Sequence, residues 1–276
     1  MTDPYPRRIV CLTEEPTEIL YRLGQQDRIV GISGFTVRPP QARREKPKVS
    51  AFTSARIGQI LALQPDLVIG FSDIQAEIAR ALIGAGVEVW ITNHRSVQGI
   101  LDYTMRLGAM VGALEAAALL VAQMQAVIDI ALERSRELPE RPRVYFEEWD
   151  APLITGIRWV CELIRIAGGD DIFPERAACA LGKDRILADP AAVVERAPQI
   201  MLASWCGKKF RPAHVLARPG WRDVPAVRDG ELHEIKSPII LQPGPAAILD
   251  GLPQLQAVIR RWATARARPL SAPDPA

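Results

Sequence analysis

The sequence lacks the charge excess that is typical of proteins that bind nucleic acids or anionic membranes. Its 34 lysine and arginine residues are nearly balanced by 32 aspartate and glutamate residues, which leaves a formal net charge of +2. The basic stretch at residues 38–48 is more simply interpreted as a solvated loop than as a site for a polyanion. We therefore expect neither nucleic acid nor a charged lipid surface as a partner of this 276-residue chain.

Long apolar runs are also missing. No uncharged apolar segment reaches the ~18 residues of a transmembrane helix, so membrane insertion is not expected. Residues 1–8 lead directly into a strand pattern and lack the apolar region of ~7–15 residues found in secretory signals. These absences predict a cytoplasmic protein. A periplasmic location is the alternative, in which a signal has been removed from the chain.

Cysteines are few and scattered along the sequence. Cys11, Cys161, Cys179 and Cys206 form no Cys-x-x-Cys pair and no other spacing typical of a metal site. In a reducing compartment such residues serve as small apolar side chains. The cysteines therefore predict neither a structural zinc site nor a framework of disulfide bonds.

Common enzyme motifs are absent as well. The chain contains no Gly-x-Ser-x-Gly, no Walker A loop and no Gly-x-Gly-x-x-Gly after its first strand. An enzyme that uses Cys206 as nucleophile, His94 as base, or nearby glutamates remains an alternative. The absences argue against these classes of enzyme, and no required cofactor is expected.

The sequence does contain a repeat of its own organisation. Residues 57–70 indicate a short helix, a proline that ends it, and an apolar strand that ends in a small residue, and the same pattern returns at residues 192–203. Apolar strands alternate with helices in both halves, which predicts parallel sheets covered on both faces. The predicted fold is therefore α/β, with two Rossmann-like lobes and a ligand cleft between them.

One long helix is predicted between the halves. Residues 115–138 lack proline and glycine, and at 1.5 Å per residue they would span ~36 Å. The predicted organisation is an N-terminal lobe at residues 1–113, a connecting helix at 114–139, a C-terminal lobe at 140–265 and a disordered tail at 266–276.

Candidate ligand-binding residues follow the predicted strands. In parallel α/β sheets, ligands bind outside the carboxyl ends of the strands. The side chains expected there are Glu14, Glu15, Phe35, Phe52, Phe71, Ser72, His94 and Arg95 in the first half, and Glu148, Trp149, Trp205 and Gln242 in the second. Two alternatives stay open. The glutamates could cap the helices that follow them, and the tryptophans could be core residues.

A metal ion is a further alternative at these loops. His94 and the glutamates could bind it directly, although their spacing in the sequence is not diagnostic.

Several segments resemble a known family. The strings Ala62–Ile69, which includes Pro-Asp-Leu-Val-Ile, and Ala167–Phe173, which includes Ala-Gly-Gly, are similar to the class III periplasmic-binding fold of ABC importers. The resemblance covers residue 8 to about residue 262. It is strongest to the cobalamin-binding branch, through Ser33-Gly34-Phe35, the following segment 39–42, and the loop that carries Phe52.

The resemblance implies a ligand of a particular kind. A corrinoid such as cobalamin, another tetrapyrrole or a metal chelate is expected, with Phe35, Phe52 and Phe71 facing the macrocycle. His94 would be a candidate axial ligand, because a neutral imidazole suits cobalt and iron.

The resemblance also implies a protein partner, the membrane permease of an importer, but two residues of this chain argue against that partner. Importer-type members carry a surface glutamate on each lobe, which docks to arginines of the membrane permease. The matching positions here hold Gly58 and Ala191, so docking to a permease is not expected. The favoured hypothesis is therefore a cytoplasmic binding protein. The alternative is the secreted substrate-binding subunit of a cobalamin or siderophore ABC importer.

Overall fold

The computed structural model describes residues 4–267, which form two compact units. Unit 1 comprises the chain up to Gln125 together with Gln242–Ala246. Unit 2 comprises Ala126–Leu241 and the chain from Ala247 onward. Each unit contains its own sheet of mainly parallel strands with helices between them, which confirms the predicted α/β class.

The sheet of unit 1 is entirely parallel. Its strands are β1 (Ile9–Cys11), β2 (Ile29–Ser33), β3 (Lys48–Ser50), β4 (Leu67–Phe71) and β5 (Val89–Thr92), in the order β3-β2-β1-β4-β5. Val10 in the central strand lies opposite Gly31 on one side and Val68 on the other. Strands β1 and β4 are buried along their whole length, as expected for uninterrupted apolar runs in a parallel sheet.

Helices connect these strands. They are α1 (Glu14–Arg22), α2 (Pro40–Glu45), α3 (Ile57–Ala62), α4 (Ala76–Gly84), α5 (Val97–Met110) and the first part of α6 (Leu114–Arg136). The basic stretch at residues 38–48, which was interpreted as a solvated loop, instead contains α2 and the first residue of β3. These elements have six and three residues, too few to show a clear hydrophobic period. Ala42, which is fully buried, anchors α2 to the unit.

The sheet of unit 2 is mixed. Its strands are β6 (Arg143–Asp150), β7 (Leu153–Thr155), β8 (Asp170–Asp171), β9 (Ile200–Ala203) and β10 (Leu232–Glu234), in the order β10-β9-β6-β7, with β8 paired to β6. Only β6 and β7, among the described strands, pair antiparallel. Strand β6 extends to Asp150 because β7 pairs with its second half.

The helices of unit 2 are mostly short. They are the remainder of α6, α7 (Arg158–Ala167), α8 (Pro174–Ala177), α9 (Ala191–Arg196), α10 (Pro212–Leu216), α11 (Pro225–Arg228), α12 (Ser237–Ile240) and α13 (Leu252–Ala267). Helix α7 ends at Gly168, whose φ of 101° lies in the left-handed region that favours glycine. Of the predicted disordered tail, Arg266 and Ala267 lie in α13, and residues 268–276 fall outside the described part of the chain.

Helix α6 belongs to both units. In unit 1 it packs so closely on α5 that a Cβ at Gly108 would lie 2.3 Å from the Cβ of Ala117. In unit 2 the Gln256 side chain donates a 2.9 Å hydrogen bond to the Ala131 carbonyl of α6. Within residues 4–267, α6 alone has the length and composition of a membrane-spanning helix. One such helix is weak evidence for a membrane span, since the helices of soluble α/β proteins can meet the same criteria.

Candidate functional site

The predicted site residues of unit 1 lie at one edge of its sheet. All five strands run parallel, so their carboxyl ends lie at the same edge. The residues at these ends or shortly after them are Glu14, Glu15, Phe35, Phe52, Phe71, Ser72, His94 and Arg95. We call this set of loops the carboxyl edge of unit 1. Because loops can vary without disturbing the strands that hold them, such an edge is a common place for a binding site.

Segment Gln242–Ala246 also belongs to unit 1, and we call it the strap. The sequence placed Gln242 in the second lobe, and this assignment was wrong. The strap packs on the carboxyl edge: a Cβ at Gly244 would lie 2.8 Å from the Cβ of Glu15, so only glycine fits there without a shift. The Pro-Gly-Pro string was the sequence signal for an unusual segment, but it did not indicate where the segment packs.

His94 holds the strap in place. Its Nε2 donates a 2.7 Å hydrogen bond to the carbonyl of Pro243, and its ring stacks on Tyr103 with centroids 4.3 Å apart. Burial lowers the pKa of His94 to about 4, so the imidazole is neutral near pH 7. Its other nitrogen, Nδ1, carries the lone pair and is buried. Because Nε2 is engaged by the strap, an axial bond to a metal would have to use the buried Nδ1.

Phe71 lies between His94 and Arg95. Its ring makes an edge contact with His94 at 5.4 Å, and the Arg95 guanidinium lies 5.4 Å from the ring centroid. Arg95 also forms a 3.4 Å ion pair with Asp73. Phe71 is buried, so its ring supports its neighbours and presents little free surface for stacking. Ser72 is buried too, and its Oγ accepts a 3.4 Å hydrogen bond from the backbone of Ile74.

Phe35 and Phe52 are the aromatic residues of this edge with solvent-accessible rings. Phe35 is 54% exposed, and Phe52 is half-buried. The carbonyl of Phe52 accepts a 3.1 Å hydrogen bond from the Gln75 side chain, which also donates to the Leu12 carbonyl at 3.3 Å. Gln75 is fully buried and was missed in the sequence analysis. It ties the loops after β1 and β3 to the end of β4.

The two glutamates at the start of α1 are almost fully buried, at 3% exposure for Glu14 and 1% for Glu15. They do not cap the helix, whose N-cap is Thr13. Glu14 accepts a 3.1 Å hydrogen bond from the Val37 backbone, and Glu15 accepts one of 2.7 Å from the Thr13 hydroxyl. Burial raises the pKa of Glu14 to about 8 and that of Glu15 to about 7. Both carboxyl groups can therefore be neutral near pH 7.

Buried polar atoms without a partner occur in both units, and several of those in unit 1 lie at or beside its carboxyl edge. Buried side-chain atoms without a hydrogen-bond partner among the described residues include Glu14 Oε2, Glu15 Oε2, Thr36 Oγ1, His94 Nδ1 and the Tyr103 hydroxyl. Buried polar atoms are nearly always paired in folded proteins. Their unused capacity suits ordered water or the polar groups of a ligand. Thr36 and Tyr103 were not predicted, since nothing in the local sequence distinguishes them from core residues.

The predicted residues of unit 2 are largely occupied by structural contacts. Trp205 is 2% exposed and donates a 3.0 Å hydrogen bond to Glu147, so it is a core residue and not an exposed stacking surface. Glu148 forms a 2.5 Å ion pair with the buried Arg185. Trp149 is half-buried, and the Lys208 ammonium lies 4.7 Å from its ring centroid. Of these candidates, Trp149 keeps accessible ring surface.

Glu147, which precedes Glu148 in the chain, has a structural role. It lies inside β6 and is fully buried, so it cannot cap a following helix. The two terminal nitrogens of the Arg218 guanidinium, Nη1 and Nη2, donate to it at 2.7 and 2.8 Å. The Tyr145 hydroxyl also donates to it, at 3.1 Å. Its ionised form is well satisfied, which makes Glu147 a structural centre of unit 2.

A metal centre finds no support in the part of the chain that the structure describes. Within residues 4–267, no three histidine, cysteine, aspartate or glutamate side chains gather as they would around a bound ion.

The sequence model of a family described as periplasmic binding protein matches residues 9–239. The chain belongs to this family. The vitamin B12-binding protein of Vibrio campbellii is 25% identical to it over 245 residues, which cover 86% of this chain and 84% of that protein. The family and its named members are binding proteins, so this periplasmic binding protein is not an enzyme. The predicted class III fold near the cobalamin branch is thereby confirmed.

Solved structures agree with this fold. The apo form of the periplasmic heme-binding protein RhuT from Roseiflexus sp. RS-1 is 24% identical, with a TM-score of 0.81 over 93% of this chain and 99% of that chain. The periplasmic vitamin B12-binding protein BtuF of Vibrio cholerae is 22% identical, with a TM-score of 0.73 over 93% and 98%. At these identities the two structures establish the fold of this periplasmic binding protein but not its ligand.

Proposed function

We propose that this protein binds a corrinoid, or a related tetrapyrrole, at the carboxyl edge of unit 1. The observation that carries the proposal is the exposed ring of Phe35 at this edge, with half-buried Phe52 after the neighbouring strand β3. A tetrapyrrole offers a broad, flat and largely apolar face, on which aromatic side chains stack favourably. The vitamin B12-binding relatives and the heme-binding structural neighbours support a ligand of this shape.

The polar groups of the edge favour a corrinoid over haem. The rim of a corrinoid carries neutral amides, whereas that of haem carries two carboxylates. Glu14 and Glu15 can stay neutral near pH 7 because burial raises the pKa of each, and a neutral carboxyl both donates to and accepts from an amide. Arg95, a cation that could meet a carboxylate, is already paired with Asp73.

The two exposed phenylalanines should dominate affinity. Titration with cyanocobalamin, followed by absorbance and calorimetry, should show saturable binding, and Phe35→Ala and Phe52→Ala should each weaken it at least ~10-fold. Ile83→Ala is the matched control, because Ile83 is an exposed apolar residue near the far end of α4. Unchanged affinity in both phenylalanine variants would contradict the proposed site. Tight binding of haemin without cyanocobalamin binding would assign the site to haem instead.

The relatives favour a periplasmic location over the expected cytoplasmic one. The matching family is described as periplasmic, and so are the two solved structures. We therefore take the importer-subunit alternative as the leading cellular role and propose that docking to a permease is weak. Gly58 and Ala191 lie in the first turns of α3 and α9, where a carboxylate would be exposed, and neither residue can form an ion pair.

A complementation experiment tests the docking proposal. In cells that lack their own cobalamin-binding protein, this chain with an added export signal should not restore cobalamin uptake. Gly58→Glu with Ala191→Glu should restore it partly, because each charge pair across an interface commonly contributes a few kcal/mol. A side chain at residue 58 meets no atom within 4 Å of its Cβ, so the substitution fits.

The isosteric Gly58→Gln with Ala191→Gln variant is the control and should stay inactive. Uptake with the signal-bearing chain that keeps Gly58 and Ala191 would show that docking uses other residues.

A further inference from the structure

The turn that carries Phe35 is fixed by hydrogen bonds from several elements. Gly34 donates its backbone N–H to the Ser50 carbonyl of β3 at 2.7 Å. Thr36 donates to the Ser33 carbonyl at 3.1 Å, and the Phe35 N–H donates to the Ser33 hydroxyl at 3.2 Å. These bonds leave the ring as the exposed part of an otherwise pinned turn.

The exposed side chain of Arg43 also forms hydrogen bonds to this turn. Its Nη1 donates to the carbonyl of Gly34 at 2.6 Å and to that of Thr36 at 3.2 Å. These two carbonyls flank Phe35 on either side. Nη1 carries two N–H groups held in the rigid guanidinium plane, so one nitrogen can donate to both carbonyls, whereas the ammonium of a lysine presents its donors on a flexible stem.

Helix α2 brings Arg43 to this position. Pro40 is its first residue, where a proline favours the start of a helix, and Ala42 is fully buried beneath it. Arg43 follows Ala42 directly and its side chain reaches back over the turn, while the neighbouring Arg44 is also exposed. A helix of six residues is too short to be stable by itself, so the contacts of Arg43 and Ala42 hold helix and turn together.

A second anchor holds the other end of the turn. The Val37 N–H donates to Glu14 Oε1 at 3.1 Å, which ties the turn to the start of α1. The backbone on both sides of Phe35 is thus bound to β3, to α2 and to α1. An exposed ring on a backbone held in this way loses little freedom when a ligand stacks on it.

We infer that Arg43 is a positioning residue for ligand binding, which acts through Phe35 and does not touch the ligand. The inference rests on the proposed function, since it assumes that Phe35 contacts the ligand. On this inference, the protein is specific for a flat macrocycle because the turn that carries Phe35 is rigid. A mobile Phe35 would adapt to many shapes, whereas a fixed ring selects a rigid planar face.

The first test requires no ligand. Amide hydrogen exchange is compared between wild type, Arg43→Met and Arg44→Met, the latter as the matched exposed arginine of the same helix. Arg43→Met should speed exchange at residues 34–37 at least ~10-fold and leave β1 and β4 unchanged. Equal exchange of the turn in all three proteins overturns the inference, whether or not cyanocobalamin binds. Fast exchange throughout unit 1 would overturn it too, because Arg43 would then be a general stabilising residue.

The second test couples Arg43 to Phe35. Cyanocobalamin affinity is measured for wild type, Arg43→Met, Phe35→Ala and the double variant. Arg43→Met should weaken binding ~5-fold to ~10-fold in the wild-type background and not at all when Phe35 is absent. Arg43→Lys should restore part of the affinity. Equal weakening in both backgrounds overturns the inference. If wild type itself does not bind cyanocobalamin, the corrinoid proposal fails, and the exchange experiment alone decides the role of Arg43.

Discussion

Arg218→Met should destabilise unit 2 by about 3–5 kcal/mol. Arg218 donates two hydrogen bonds, of 2.7 and 2.8 Å, to the fully buried Glu147. Without it, Glu147 keeps the hydroxyl of Tyr145 and the indole N–H of Trp205, but it loses its compensating charge. An ionised carboxylate left in an apolar core is among the most costly single defects in a protein. Urea unfolding followed by tryptophan fluorescence measures the effect, because every tryptophan except Trp90 lies in unit 2.

Arg228→Met is the matched control for this experiment. Arg228 forms a 2.8 Å ion pair with its neighbour Asp229, but its guanidinium is exposed to solvent. Exposed pairs are screened by water and salt, so the urea midpoint of Arg228→Met should stay at the wild-type value. Equal shifts in the two variants would show that the Glu147 centre does not support the fold as its geometry implies. Glu147→Gln with Arg218→Met should recover part of the loss, since no uncompensated charge then remains.

Unit 1 should lose about 2–3 kcal/mol of stability between pH 6.5 and pH 8.5. Burial raises the pKa of Glu14 to about 8 and of Glu15 to about 7, while an unfolded glutamate titrates near 4.5. In this window the folded protein therefore holds protons that the unfolded chain has already released. Stability from a raised pKa of this kind is complete below the unfolded value and is lost as the pH rises through the folded one. Thermal melts at the two pH values measure the change.

The choice of window keeps another group from masking the effect. His94 has a pKa lowered to about 4 by burial, so protonation of the unfolded chain opposes folding below its ordinary value of 6.5. Across this window folded His94 is neutral and its Nε2 keeps the bond to Pro243. The unfolded imidazole is half protonated at pH 6.5, and the loss of this charge by pH 8.5 changes stability by only about 0.4 kcal/mol, in the opposite direction. Arg38 and Glu18 also lie near Glu14 and form a 3.5 Å ion pair with each other. The expected decline therefore comes from Glu14 and Glu15.

Substitution separates the contributions. Glu15→Gln should raise the melting temperature at pH 8.5 and change it little at pH 6.5, because an amide stays neutral at both. Glu18→Gln is the control on the same helix, and it should lower the melting temperature. Glu18 is ion-paired with Arg22 at 2.8 Å and with Arg38 at 3.5 Å, so its loss destabilises the protein at both pH values. A wild-type melting temperature that does not fall between pH 6.5 and 8.5 would contradict the burial of neutral carboxyl groups.

Much of the fold could be predicted from the sequence because its signals are local. Four of the five strands in unit 1 follow from apolar runs bounded by helices, and Gly168 marks the end of α7 as expected. Strand β3 and helix α2 could not be predicted, because three and six residues show no period. The extension of β6 to Asp150 depends on its pairing with β7, which is a tertiary contact.

The candidate site, too, could be predicted only in part from the sequence. The sequence alone determined which loops follow the predicted strands, and hence that Phe35 and the two glutamates share one edge of a parallel sheet, whereas Phe52 joins that edge through β3, which only the structure showed. The tertiary structure decided which of these side chains stay accessible. Burial of Trp205 and Phe71, and the contact between His94 and Pro243 across 149 positions, arise from packing between distant segments. The accessibility and the pKa of a side chain depend on everything that surrounds it, whereas the order of strands and loops can be predicted from the local pattern of apolar residues.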